Sequence, residues 1–444
     1  MNADKEKSAF VRVHPRPIDL VSAGIQQIAA QFESSFREQL RPLRKIGKEA
    51  EFPVVTREGR AADIMPLLEA LRDAHGFAPT YDDALLIAVE RAGLNIAVEV
   101  GRGTIELAFK PCDDLFELQR EFENAISLVT RIAAEREMFL LGFGIQPRTR
   151  SSREWMTPRA HYRALSDAIG APWLKLTTTA ADQTHMDICR AEILDAINYM
   201  NLLSAPLIAL CANSSVYAGR AGAFVSGREG LLKDLGETRY GMTPRKFESL
   251  EEFIRYLCDY ECFVLPRDGT YKAICAPFTN HLTTQPANLF DDFLFHEHYV
   301  WNSARARVGK STIEVRPACQ QPRDEAFAAN ALILGWTEAL PQVAAYFETA
   351  LGDRAWELMS AYRRAVLRVG LKAQAPTPRM IADLVRIAEQ GLRARGRGEE
   401  KFLAPLWERV ERKESPGMRA RKIFQRKGMA GLIEELRINN PEGF

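Results

Sequence analysis

Two glutamates, Glu49 and Glu51, stand two apart in "GKEAEF" (residues 47–52), with Ala50 between them and Phe52 after. In an extended chain residues i and i+2 face the same way, so the two carboxylates share one surface. Crowded carboxylates repel each other unless a cation or a basic group lies between them. The pattern recurs along the chain. Glu99 and Glu106 sit on two strand-like stretches of "NIAVEVGRGTIELAF" joined by a glycine turn, Gln183, His185 and Asp187 alternate in "ADQTHMDI", and Glu314 and Arg316 alternate in "STIEVRP". Five strand-like stretches thus offer oxygen donors and a single imidazole, a set that suits magnesium or manganese better than zinc. Two or more divalent ions would neutralise such a wall, and the phosphates of ATP are a natural partner for it. Each residue also has a plain structural alternative. The glutamates can be a solvated strand edge, His185 a core imidazole, Asp187 a cap before the next helix, and Arg316 the counter-ion of Glu314. Spacing leaves open whether these strands are neighbours.

The elements that must position these groups follow from periodicity. Val21, Ile25, Ile28, Phe32, Phe36 and Leu40 recur at helical spacing and predict an amphipathic helix from Asp19 to Leu40, after a loose tail over residues 1–17. The strand "GKEAEFPVV" follows, then a helix near 61–74 and three consecutive strands, "ALLIAVE", "NIAVEV" and "TIELAF". A long helix is expected from Asp114 to Leu141, with Leu115, Leu118, Phe122, Ile126, Val129 and Ile132 as its packing stripe. Beyond the "ADQTHMDI" strand come a helix near 190–210 and a glycine-rich, irregular stretch from 213 to 244, long enough to be a working part. A helix near 248–260, a strand at "CFVLPRDGTYKAI" and the "KSTIEVRPA" strand precede a mostly helical remainder from Arg323. Several strands are half polar, which favours an antiparallel sheet with one working face, and hence an α+β fold.

A chain of 444 residues can bury a large core, and with 26% charged residues and a net charge of +1 nothing marks it for nucleic acid or an acidic membrane. The basic stretches near 393–401 and 418–427 read as solvated helix faces. No apolar run reaches the length of a membrane span. The seven cysteines, at 112, 189, 211, 258, 262, 275 and 319, are scattered, which argues against a disulfide framework or thiolate zinc site and for a reduced, cytoplasmic setting. Neither GxxxxGK[ST] nor a GxGxxG between strand and helix is present, so ATP would bind by another route.

The ordered series of motifs resembles the glutamate–cysteine ligase family of the plant and bacterial type, carboxylate–amine ligases within the glutamine synthetase-like superfamily. The resemblance rests on "GKEAEFPVV", "VEVGRGTIEL", "TAADQTHMDI", "CANSSVYAGRAGAFVSGREG" with "ETRYG", and "STIEVRPACQQP", and it runs from about 45 to 435. It implies a curved antiparallel sheet with a metal-binding concave face, packed against long helices, with a helical C-terminal region. It implies a catalytic domain over 45–444 after an N-terminal tail and helix (1–44). By the same resemblance Glu49, Glu51, Glu99, Glu106, His185 and Glu314 are metal-ligand candidates. Glu51, Glu314, Arg316 and Arg307 are catalytic candidates, while Gln183, Asn213, Arg228 and Arg239 would contact nucleotide or substrate. The implied reaction uses ATP with Mg2+ or Mn2+ to make γ-glutamyl phosphate, which cysteine then attacks. The expected partners are small molecules, with no nucleic acid or membrane, and the chain would be a candidate homo-oligomer.

The sequence also departs from the family pattern. "ANSS" stands where "ANSP" is usual, and "HEHYVWNSARARVGKSTIEVR" keeps His298 and Arg307 but replaces a phenylalanine-proline pair with Asn302–Ser303 or its neighbours. Lys48 places a cation beside the first carboxylate pair, on the opposite face by alternation. Such changes bear on the acceptor pocket, so another amine or carboxylate, or a non-catalytic homologue, stays open beside the glutamate–cysteine reading.

Overall fold

The alternation in "GKEAEFPVV" becomes the central strand of the fold. The computed structural model describes residues 17–236, 239–284 and 286–438. The expected tail lies outside them except for its last residue, Pro17. Nine strands form the main sheet: β1 (Ile46–Val55), β2 (Ala78–Asp82), β3 (Leu85–Arg91), β4 (Leu94–Val98), β5 (Thr104–Phe109), β6 (Phe139–Leu140), β7 (Asp182–Asp187), β8 (Ala304–Arg307) and β9 (Thr312–Val315). Their order is β8-β9-β7-β1-β5-β4-β3-β2, with β6 beside the end of β1. Every pairing is antiparallel. The three consecutive strands and the other charged strands are therefore one sheet.

One face of this sheet carries the core. Ala50, Phe52 and Val54 of β1 are wholly buried there, and they meet the Leu115–Ala134 helix, whose Leu115, Leu118, Phe122, Ile126 and Val129 form its buried stripe. Asp114 caps that helix by accepting the Glu117 backbone N–H at 2.8 Å. Phe122 lies between Phe52 at 6.3 Å and Phe327 at 5.3 Å. Burying each such ring contributes about 2 kcal/mol. The Pro17–Ser34 helix adds Ile25, Ile28 and Phe32 to the same core.

Three helix ends differ from the periodicity reading. The long helix stops at Ala134, because Glu137 takes φ 54° and turns the chain so that Leu140 pairs with Val54. The first helix stops at Ser34, and the chain returns through Arg37 and Arg41, which lie 2.9 and 3.5 Å from Asp187. The 190–210 helix is two helices, Ile193–Leu202 and Ser204–Cys211. Pro206 lacks an N–H and its ring would clash with the carbonyl of Leu202. "CFVLPRDGTYKAI" is a hairpin rather than one strand, Glu261–Arg267 with Thr270–Pro277, turned by Asp268 and Gly269 at φ 49° and 73°.

From Arg323 to Leu436 the described chain is mostly helical, as expected. All seven cysteines are free thiols, and six of them are buried. Among the described residues no single helix is long and apolar enough to cross a membrane. Among them one bent pair, 190–202 and 204–211, combines that length with that apolarity, and its second helix is wholly buried in the core.

Candidate active site

The face of the sheet opposite the helices carries the charged residues, and the ladder sets their spacing. Glu51 pairs with Glu106 across β1 and β5, Glu49 with Gln183 across β1 and β7, and His185 with Glu314 across β7 and β9. Arg305 of β8 lies opposite Glu314 in turn. Glu99 enters from the turn after β4, where Gly101 presses on the next segment. A Cβ at Gly101 would stand 1.9 Å from the Thr177 carbonyl oxygen, so only glycine allows this approach.

Together these side chains line a cavity of about 490 Å³, within the range that holds a small-molecule substrate. Two triads are resolved within it. Glu49, His185 and Glu314 bring one ligand atom each to within 4.8 Å of one another, and so do Glu51, Glu99 and Glu106. Five carboxylates and one imidazole form a donor set that fits hard divalent cations. The alternation also sends Lys48 to the other face, where it is buried against Asp182 and Asn330.

The two triads differ in charge balance. In the first, the His185 Nε2 lies 3.0 Å from Glu49 Oε1. Burial opposes ionisation of both, yet their attraction leaves Glu49 below and His185 above its ordinary value. Glu314 receives Arg305 at 3.0 and 3.2 Å, Arg307 at 3.2 Å, and Arg316. Burial again opposes, but Arg305, Arg316 and Arg307 hold the Glu314 carboxyl well below the usual range. The second triad lacks such compensation. Burial, then repulsion from Glu49, Glu99 and Glu51, pushes Glu106 well above its ordinary value. Burial, then Glu99, raises Glu51 to about 7 against the pull of Arg228. Glu51 is held in place by Gln183 Nε2 at 2.6 Å and the Ala181 N–H at 2.7 Å. Gln183 also accepts from Arg316 at 2.6 Å, linking the triads.

The cavity therefore has a cation-seeking end at Glu51, Glu99 and Glu106 and an anion-seeking end at Arg305, Arg307 and Arg316. A third wall is aromatic. Trp173 lies 5.7 Å from Tyr162, 6.3 Å from Tyr299 and 6.2 Å from Trp301. Arg159, held by Asp82 at 2.7 Å, and His161 complete that side. Burial, then Arg159, lowers His161 to about 4, so it is a neutral imidazole.

Ten of the twelve candidate residues line this cavity; Asn213 and Arg239 do not. The Asn213 amide is spent on the Gly142 and Gln320 carbonyls, at 2.8 and 2.9 Å, where it ties three loops together. Arg239 donates to the Tyr299 carbonyl at 2.9 Å and to that of Glu261, and it stacks 4.1 Å from the Phe263 ring. Burial lowers it to about 10. Expected to contact nucleotide or substrate, both instead brace the loops around this cavity without lining it. Asp187 likewise serves Arg37 and Arg41 outside it. Of the 213–244 stretch, Arg228 is the described residue that reaches the cavity. The periodicity reading overlooked Arg305, although the alternation in "ARARV" places it on the face of Arg307. Periodicity likewise gives no sign of Arg159, His161, Tyr162, Trp173 and Trp301, which come from a helix cap, two short helices and a two-residue strand with no motif of their own.

An antiparallel sheet with helices behind it, and a cavity lined by two candidate metal-binding triads and three arginines, defines the class as an α+β protein with a charged, sheet-built site. The chain belongs to glutamate–cysteine ligase family 2, whose description matches residues 45–437. It is 24% identical over 403 residues to the chloroplastic glutamate–cysteine ligase of Arabidopsis thaliana, covering 86% of this chain and 76% of that one. It is 25% identical over 274 residues to the chloroplastic enzyme of Brassica juncea, covering 54% and 53%. The chain thus spans about half of the latter's length. Its fold is similar to that of the glutamate–cysteine ligase of Francisella tularensis solved with AMP, at 11% identity, 90% and 88% coverage and a TM-score of 0.50. It is also similar to that of a bifunctional glutathione synthetase from Pasteurella multocida, at 11% identity, 93% and 52% coverage and a TM-score of 0.51.

Proposed function

We propose that this protein is an ATP-dependent carboxylate–amine ligase that joins glutamate to cysteine through its γ-carboxyl group. The observation that carries the reading is the pair of triads beside the three arginines at Glu314. In this reading the sheet is the curved wall of a glutamine synthetase-like site, and residues 45–444 are the catalytic domain. Magnesium or manganese held by Glu49, His185 and Glu314 and by Glu51, Glu99 and Glu106 would neutralise the ATP phosphates.

A carboxylate does not react with an amine at neutral pH, because the leaving group would be an oxide. Attack of a γ-carboxylate oxygen on the terminal phosphorus of ATP breaks its bond to the bridging oxygen and releases ADP. The cysteine nitrogen then attacks the acyl carbon of γ-glutamyl phosphate, the amide C–N bond forms, and phosphate departs. Arg316 and Arg307 hold the transferred phosphoryl group in line and absorb its charge, and Arg228 supports the Glu51 side. Gln183 keeps Glu51 and Arg316 in register. The aromatic wall keeps water from the acyl phosphate.

Phosphate release from ATP and magnesium tests this, with glutamate alone, with glutamate plus cysteine, and with glutamate plus a panel of other amines. The expected result is turnover that needs glutamate and cysteine together, a γ-glutamyl product, and loss in Glu314→Gln. One observation favours a second reading. The wall of Tyr162, Trp173, Tyr299 and Trp301 offers more apolar surface than the single methylene of cysteine fills. Turnover only with a bulkier amine or another carboxylate would keep the chemistry and replace the substrate.

A further inference from the structure

A second cavity, of about 340 Å³, opens between the Ala355–Val369 helix and the segments around Phe224 and Tyr240–Pro244. Four cations line it, Lys233, Arg363, Arg364 and Arg368, and no described lining residue is acidic. Arg364 and Arg368 are four apart on one helix, where like charges repel. Among the described residues neither they nor Lys233 has a carboxylate within 4.0 Å. Lys233 and Arg368 instead flank the Phe224 ring, 5.6 and 5.2 Å from its centre. Two buried polar atoms of the lining have no hydrogen-bond partner, Thr243 Oγ1, whose residue is wholly buried, and Arg363 Nε. A concave surface with three cations that have no carboxylate partner among the described residues, and with unspent polar groups beside them, is a site for an anion.

The two cavities share no lining residue, but one buried carboxylate behind them connects an arginine of each. Glu229 accepts from Arg363 at 2.6 Å, from Arg228 at 2.5 Å and from the Tyr240 hydroxyl. Arg228 lines the catalytic cavity. The Arg363 guanidinium is seated against Gly241 at φ 98°, where a Cβ would stand 2.8 Å from its carbon. One carboxylate is thus divided between an arginine of each cavity.

We propose that the second cavity binds a small phosphate- or carboxylate-bearing anion and that its occupancy weakens nucleotide binding in the catalytic cavity through Arg363, Glu229 and Arg228. An anion on Arg363 competes with Glu229 for that guanidinium. Glu229 then draws more strongly on Arg228 and withdraws its positive charge from the catalytic side. Binding at the second cavity stands independently of the ligase reading; the coupling rests on it.

The test is calorimetric titration of inorganic phosphate and, separately, succinate into the full chain, the double variant Lys233→Ala/Arg368→Ala, and Arg316→Gln. Both substituted residues of the double variant are exposed, and circular dichroism checks its fold. Saturable binding of at least one probe is expected in the wild type, weakened about tenfold or more in the double variant and retained in Arg316→Gln. Which probe binds distinguishes a phosphate from a carboxylate ligand. Affinity for magnesium and a non-hydrolysable ATP analogue should fall about fivefold or more with the second cavity filled, and this dependence should vanish in the double variant. No binding of either probe, or binding unchanged in the double variant, overturns the site. Binding without any change in analogue affinity overturns the coupling. Failure of the ligase assay with anion binding intact would overturn only the ligase reading.

Discussion

Glu106 is the residue at which the metal reading and a purely structural one part most sharply. Its carboxyl is surrounded by Glu49, Glu51 and Glu99, and burial together with their repulsion raises it well above its ordinary value. A carboxylate so placed destabilises the metal-free fold once it is ionised. In metal-free buffer Glu106→Gln should therefore be more stable than wild type by about 1 kcal/mol. The sign with pH follows from the raised value. The folded state holds this proton more tightly, so stability is lost as pH rises from the ordinary carboxylate value toward the folded one. The gain from Glu106→Gln should be near zero at about pH 4 and grow toward neutrality. Urea unfolding in chelator measures it. In the same variant the manganese affinity of one of two sites should drop about tenfold or more, read by paramagnetic resonance titration. A variant that is less stable and binds manganese normally would make Glu106 a structural residue.

Among elements, β1 decides which charges meet. Lys48 donates to Asp182, to Asn330 Oδ1 at 2.8 Å and to the Ala326 carbonyl at 3.0 Å. Asn330 donates in turn to Thr184 at 2.8 Å. This buried cluster ties β1 to β7 and both to the Ala328–Glu338 helix. A one-residue slip of β1 would send Glu49 and Glu51 into the helices and Lys48 into the cavity. Burial lowers Lys48 and raises Asp182, with their attraction working against both shifts. Lys48→Met should cost about 3–5 kcal/mol, because it strands a buried carboxylate. Adding Asp182→Asn should recover most of that loss. A double-mutant cycle by denaturant unfolding checks this, and additive losses would show the pair to be independent. The strands and their charged faces were legible because alternation is local, as in β1, β7 and β9. Helix ends were not. The stop at Ala134 depends on Phe139–Leu140 finding Val54–Val55 across the sheet, a contact no local period records.

For the whole molecule, the last two helices are held to the sheet side through Glu325, which pairs with Arg409 and Arg419. Burial opposes ionisation of Glu325, but Arg409 and then Arg419 hold its carboxyl below the ordinary value. A depressed carboxyl contributes stability above its unfolded value and loses it as pH falls through the folded one. Glu325→Gln should thus be about 3 kcal/mol less stable near pH 7, since Arg409 is left buried without its partner. Wild type and variant should converge below about pH 4. Urea unfolding across that range measures the effect, and a difference that persists at low pH would assign it to packing.

By itself the sequence determined which residues face together on each strand, because side chains alternate along extended backbone whatever lies around them. That was enough for Glu49 with Glu51, for Gln183 with His185, for Glu314 with Arg316, and for Lys48 on the reverse face. The resemblance of the ordered motifs supplied the family, to which the chain belongs. Only the tertiary structure decided which strands are neighbours and so divided the candidate ligands into two triads. It alone brought Arg305 onto Glu314, set the aromatic wall beside them, and took Asn213 and Arg239 out of the cavity. Those contacts join residues tens to hundreds of positions apart. Their geometry comes from sheet order and loop return, not from any pattern within reach along the chain.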